Sequence, residues 1–216
     1  MIACPSTTEP CEGLLPVDPA FNAAVHCIAA HIFPLGFDVR KAAPNTFDEL
    51  HSQMDVMGRM SIWSGDYTRS AFADTETWWQ FRAWHDWVHY RYGAGFNMPG
   101  EHVACHIQAG QLMRLYGRTD DVVRMIAVLF CNVIGPLESA MAHRPVTDAH
   151  AYTVDNVGSW MPYAAKVVAE QGYTDADAVE YAKQAYLLRD TVGPRVPWQA
   201  RPAEVALCLP ALEEVA

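Results

Sequence analysis

The sequence predicts an all-α fold, a single-domain helical bundle behind an extended N-terminal arm. Three observations predict it. Apolar residues recur at helical spacing through most of the chain, helix-start and helix-stop residues bracket those runs, and stretches with strand-like alternation are few. With 51% apolar residues, and 7 Trp, 9 Tyr and 8 Phe among 216, the chain can build a packed core rather than a disordered tail. A domain of this length buries roughly 70% of the surface its unfolded chain exposes.

Residues 1–19 hold four prolines among Ser, Thr and Glu and read as the arm, with one helical domain over 20–216. Residues 21–32 form the first helix, apolar at Phe21, Val25, Ile28 and Ile32. Thr46 and Glu49 make a capping-box pattern that starts a second, running through His51 to about Arg59. Residues 60–73, with Gly65, Asp66 and Thr68, read as loop with one short strand at 61–64. Asp74 or Thr75 caps a helix over 76–92 that Gly93 ends; Pro99 opens the next, which runs to Tyr116 and stops at Gly117.

Thr119 caps residues 120–134, whose only polar side chains after the first turn are Arg124 and Asn132, so this segment is expected to be the buried central helix. Gly135 and Pro136 are expected to break or kink it ahead of 137–143. Further helices are predicted over 159–170 and, behind a Thr174-x-x-Asp177 cap, over 175–189. Pro194, Pro197 and Pro202 then make a loop before a short C-terminal helix.

Charge and cysteine usage narrow the function classes. A net charge of −10, with 12 Arg but only 3 Lys, gives no broad surface for nucleic acid. No apolar stretch approaches the ~20 residues that cross a bilayer, and residues 1–19 lack the charged start and apolar middle of a signal peptide. Cys4, Cys11, Cys27, Cys105, Cys131 and Cys208 are scattered without a C-x-x-C pair, which reads as reduced thiols and a cytoplasmic protein.

The chemistry concentrates on the helix over 76–92. At ~100° per residue, Val88, Phe81, His85, Trp78, His89, Arg82 and Asp86 fall in that order within about 160°. His85 and His89 are four apart, so both rings can converge on one ion. On the following helix Glu101 and Gln108 share a stripe with Ala104, Cys105, Leu112 and Leu115. A carboxylate on such a stripe is costly unless paired or metal-bound. A short connection predicts antiparallel packing, which brings Glu101 within reach of His89 and makes Gln108 an outer partner of the site. The plainer alternative is a polar core network without metal, with Glu101 complementing a helix dipole. His102 and His106 point away from the Glu101 stripe and read as an exposed pair, and Asn132 needs a buried partner, for which this cluster is a candidate.

Two families share the local pattern. His51-Ser52 followed by His85-Asp86-x-x-His89-x-x-x-Gly93 resembles the HD-domain phosphohydrolases, all-helical enzymes in which a first histidine, a His-Asp pair and a distal aspartate bind a divalent metal. That resemblance implies His51, His85 and Asp86 as ligands, a metal-activated water, and Arg82 meeting a phosphate, with His89 where the family often carries Glu. No distal Asp is identifiable; Asn132 lacks the charge, and Glu138, Asp148 and Asp155 are the acids available. The stretch His85-Asp86-Trp87-Val88-His89 also resembles the H-E-x-x-H helix of zincin metallopeptidases, which implies His85, His89 and Glu101 on Zn²⁺ and Asp86 as general base. Zincins place a sheet edge beside that helix, for which this sequence offers little strand. A ferritin-like di-iron pattern would need a second copy of Asp86-x-x-His89, which is lacking.

The reading is therefore a metal-dependent hydrolase of a small phosphorylated molecule, nucleotides among the candidates, with a metallopeptidase and a non-enzymatic binding or regulatory module as alternatives. The expected cofactor is one divalent ion, with Zn, Mn, Fe and Mg not distinguished. No membrane partner is expected, and the reading leaves room for a homo-oligomer.

Overall fold

The computed structural model describes residues 14–65 and 70–188. Among them are seven helices: α1 (Pro19–Ile32), α2 (Phe47–Met57), α3 (Thr75–Tyr92), α4 (Met98–Tyr116), α5 (Asp120–Met141), α6 (Ala149–Glu170) and α7 (Asp175–Leu188). Two short strands, β1 (Asp38–Arg40) and β2 (Ser61–Trp63), complete the set, so the fold is all-α as expected. Most of the expected arm, the Pro194 to Pro202 loop, the C-terminal helix, and Cys4, Cys11 and Cys208 lie outside the described residues.

Helix starts follow the side chains that can accept from otherwise unsatisfied N–H groups. Asp18 accepts from the Phe21 amide at 2.9 Å, so Pro19, expected in the arm, is instead the first residue of α1, where its missing N–H does no harm. The Thr46–Glu49 capping box forms in both directions. Asp74 caps α3, and Gly93 ends it at φ 65° in the left-handed region that glycine adopts without strain.

Gly135 and Pro136 do not end α5, which continues to Met141. A Cβ on Gly135 would lie 2.8 Å from the Tyr152 ring, so this glycine marks the place where α6 closes on α5. Burial along that contact outweighs the lost hydrogen bond at Pro136, and α6 carries Pro162 in its interior in the same way. An unbroken α5 also corrects the expectation that no apolar stretch nears membrane-spanning length. By length and composition α5 is the one helix among the described residues that could cross a membrane, though 56% of its apolar window is buried in the protein.

The most enclosed helix is α4 rather than α5. Every residue from Met98 to Met113 is buried except Glu101, because α4 packs against α3, α5, α6 and α7. The main core joins Phe21, Phe72, Trp84, Ile107, Leu112, Ile126, Leu129 and Phe130. Trp84 Nε1 donates to Gln111 Oε1 at 2.6 Å and fixes the antiparallel register of α3 on α4.

The strand expected at 61–64 is β2, but it pairs in parallel with β1, which the sequence does not announce; Val39 lies opposite Ile62, and α2 is the crossover. This unit packs Leu50, Met60 and Ile62 onto Ala83 of α3. It covers a flank of the helix that carries the histidines.

Candidate metal centre

Helical spacing alone places His85 and His89 on one face of α3, and the antiparallel docking of α4 supplies Glu101 from its first turn. His85 Nε2 lies 2.9 Å from Glu101 Oε2, His89 Nε2 lies 3.4 Å from the same oxygen, and the two Nε2 atoms are 3.0 Å apart. An ion bonded at about 2.1 Å to three ligands at tetrahedral or octahedral angles needs them about 3.0–3.4 Å apart. The observed triangle has that spacing, and among the described residues His85, His89 and Glu101 form a cluster that could hold a metal ion.

The opposite edge of each ring is held by an acceptor. Ala94 O lies 2.7 Å from His89 Nδ1, and a carbonyl can only accept, so that nitrogen carries the hydrogen. Gln108 Oε1 lies 2.9 Å from His85 Nδ1, and in this orientation of the amide that nitrogen also carries its hydrogen. Both Nε2 lone pairs are thereby turned toward the carboxylate. Three electron-rich atoms facing one another need a cation between them, either a metal ion or a proton. A His ring fixed by an outer acceptor is also the usual arrangement of a metal ligand.

Electrostatics agree with that demand. Burial opposes protonation of His89, but the Glu101 carboxylate, the Ala94 carbonyl and the charge of Asp86 outweigh it and raise the imidazole above its ordinary value. Burial likewise opposes ionisation of Glu101, yet His89 and His85 hold its carboxyl well below the usual carboxylate range. Phe81 stacks on His85 with centroids 5.8 Å apart, and Phe96 meets His89 edge-on at 4.8 Å, so apolar rings wall the site. Its side toward solvent is Glu101, whose side chain is 16% exposed.

The other sequence-selected residues are placed around this centre. Asp86 is buried beside His85 in sequence and forms an ion pair with Arg82 at 3.4 Å, the arginine side chain being 43% exposed. His51 is not one of the residues grouped with His85, His89 and Glu101; its ring lies 4.4 Å from Phe47 and 4.9 Å from Tyr90, and Phe47 in turn meets Phe96, which packs on His89. Asn132 is half-buried on α5, and the cluster takes its outer partners from Gln108 and Ala94 instead.

The expectation that His102 and His106 form an exposed pair is corrected, since both are fully buried. α7 covers the face of α4 opposite α3, which a two-helix construction leaves open. His106 is held between Gln171 Oε1 at 2.7 Å and the Tyr163 hydroxyl at 2.9 Å, and His102 packs edge-on against Tyr186. The Ala94 carbonyl went unnoticed in the sequence because a backbone acceptor has no side-chain signature; the Gly93 helix stop four residues after His89 is the nearest clue. The chain matches no family model, no curated protein and no solved structure with which it was compared.

Proposed function

We propose that this chain is a metal-dependent hydrolase in which His85, His89 and Glu101 hold one divalent ion and the substrate is a small phosphorylated molecule. The observation that carries the reading is the convergence of three lone-pair-bearing atoms within 3.4 Å, with both histidine Nδ1 atoms already committed to outer acceptors. Two nitrogens and one oxygen suit Zn²⁺, Fe²⁺ or Mn²⁺ better than Mg²⁺, which favours oxygen. A divalent ion held there would supply Lewis acidity and lower the pKa of a water enough to make it a nucleophile at neutral pH. Asp86 would accept the proton of the attacking water, and Arg82, which pairs with Asp86 and is half exposed, would meet the anionic group of the substrate. The free thiols of Cys27, Cys105 and Cys131 favour a reducing, cytoplasmic setting for this activity.

A metallopeptidase is the second reading, because His85, His89 and Glu101 are the ligand set that resemblance implies, whereas the phosphohydrolase set calls on His51. The mostly helical fold, with only one pair of short strands beside α3 among the described residues, and the half-exposed Arg82 support the phosphorylated substrate. Elemental analysis of chelator-free protein tests the shared foundation and should find close to one divalent ion per chain. A persistently empty protein after reconstitution would leave a polar core network and a non-enzymatic module. Assay of the loaded protein against phosphomonoesters, nucleotides and peptides then separates the two hydrolases.

A further inference from the structure

The five residues between α3 and α4 do more than connect them. The His89 carbonyl accepts from Gly93 at the helix end and from Ala94 at 3.1 Å, which reverses the chain and returns the Ala94 carbonyl to His89 Nδ1. Gly95 follows, and its carbonyl accepts from the Asn97 amide at 2.8 Å. The Asn97 side chain then accepts from the amide of Gly100, the residue before Glu101, at 3.0 Å and so caps the start of α4.

At the centre of this loop Gly95 and Gly100 meet backbone to backbone. A Cβ on Gly100 would fall inside the Gly95 carbonyl oxygen and 2.8 Å from both its carbonyl carbon and its nitrogen. These are main-chain atoms, so no rotamer change relieves the overlap. Gly100 has no left-handed φ that would by itself require glycine, and alanine is the better helix former. Local propensity therefore points to alanine, and only the close approach to Gly95 explains glycine.

We infer that Gly100 is a positioning residue of the metal centre: by admitting the Gly95 backbone it holds the Ala94 carbonyl on His89 and sets Glu101 opposite the two rings. The inference rests on the metal reading above. One contact thus orients two of the three ligands, on two different helices, through the backbone alone.

The test is Gly100→Ala in the full chain, compared with the wild type and with Gly158→Ala, a helical glycine on α6 whose added Cβ meets nothing within 4 Å. Zn²⁺ affinity is measured by competition with a chromophoric chelator, and the His89 Nδ1 proton is followed by ¹⁵N-edited NMR. Gly100→Ala should bind Zn²⁺ roughly 10–100-fold more weakly, as loss of an outer support does, with the His89 Nδ1 proton lost to exchange; Gly158→Ala should match the wild type. If Gly100→Ala does not fold, Asn97→Ala decides, since it frees the same loop without a clash and should weaken binding in the same direction. Wild-type affinity with an unchanged His89 signal in the folded variant, or in Asn97→Ala where that one decides, overturns the inference and leaves the metal centre standing. A wild-type chain that binds no Zn²⁺, Fe²⁺ or Mn²⁺ overturns the metal reading itself.

Discussion

His85 and Gln108 share one hydrogen bond, Nδ1 to Oε1 at 2.9 Å, in a place where neither side chain meets bulk water. It decides which edge of the imidazole faces Glu101. Gln108→Leu keeps the apolar volume of α4 but leaves His85 Nδ1–H without its acceptor. Metal affinity should fall about 10–100-fold, and the metal-free protein should lose about 1–3 kcal/mol, the penalty of a buried unsatisfied donor. Isothermal titration and urea unfolding measure the two losses separately.

The pH dependence of the centre has a definite sign. In metal-free protein Glu101 is depressed, so its stabilisation is present above an unfolded value of about 4.3 and fades as pH falls through its lowered folded value. His89 is raised, so its contribution is full below about 6.5 and fades as pH rises through the raised folded value. The ion pair is strongest between those limits. Metal needs His89 neutral and so competes with that proton. The Tm gain from metal, followed by calorimetry, should widen from pH 5.5 to pH 8; a gain that shrinks over this range is incompatible with ligation by His89.

Asp86→Asn nearly preserves shape while removing the charge assigned to proton transfer. Turnover should fall by at least ~10², with metal stoichiometry unchanged if the ion rests on His85, His89 and Glu101. Loosening the part-exposed pair with Arg82 should alter stability by no more than about 1 kcal/mol. Loss of the ion in this variant would transfer Asp86 to the ligand set, and full activity would remove it from the mechanism.

Tyr92 ties the end of α3 to α7, its hydroxyl donating to Asp175 Oδ2 at 2.6 Å while Arg114 holds Oδ1 at 2.8 Å. Burial, then the Asp175 hydrogen bond and charge, push the phenol far above its ordinary value, so it remains a neutral donor at every working pH. Tyr92→Phe should cost about 1.5–3 kcal/mol, as for a hydrogen bond to a charged acceptor, and leave metal content unchanged. Denaturant unfolding with elemental analysis of the same sample checks both halves.

Much of the helical framework is legible in the sequence because its determinants are local. Caps such as Thr46 with Glu49, or Asp74, satisfy N–H groups within three residues, and Gly93 stops α3 by its own φ. The same locality places His85 and His89 on one face, and a short antiparallel connection is enough to bring up Glu101 and Gln108. Tertiary structure decided what no local rule contains. Burial of His102 and His106 depends on residues far along the chain, Tyr186 of α7 against His102, and Tyr163 of α6, Gln171 at the end of α6 and Tyr181 of α7 against His106. Gly135 and Pro136 carry a breaker signal, but contact with Tyr152 from the next helix keeps α5 whole. β1 has too few residues for a pattern and exists because β2 lies beside it. The acceptor on His89 is a backbone carbonyl whose position follows from two glycines meeting across a loop, so it belongs to packing rather than to any residue's own preference.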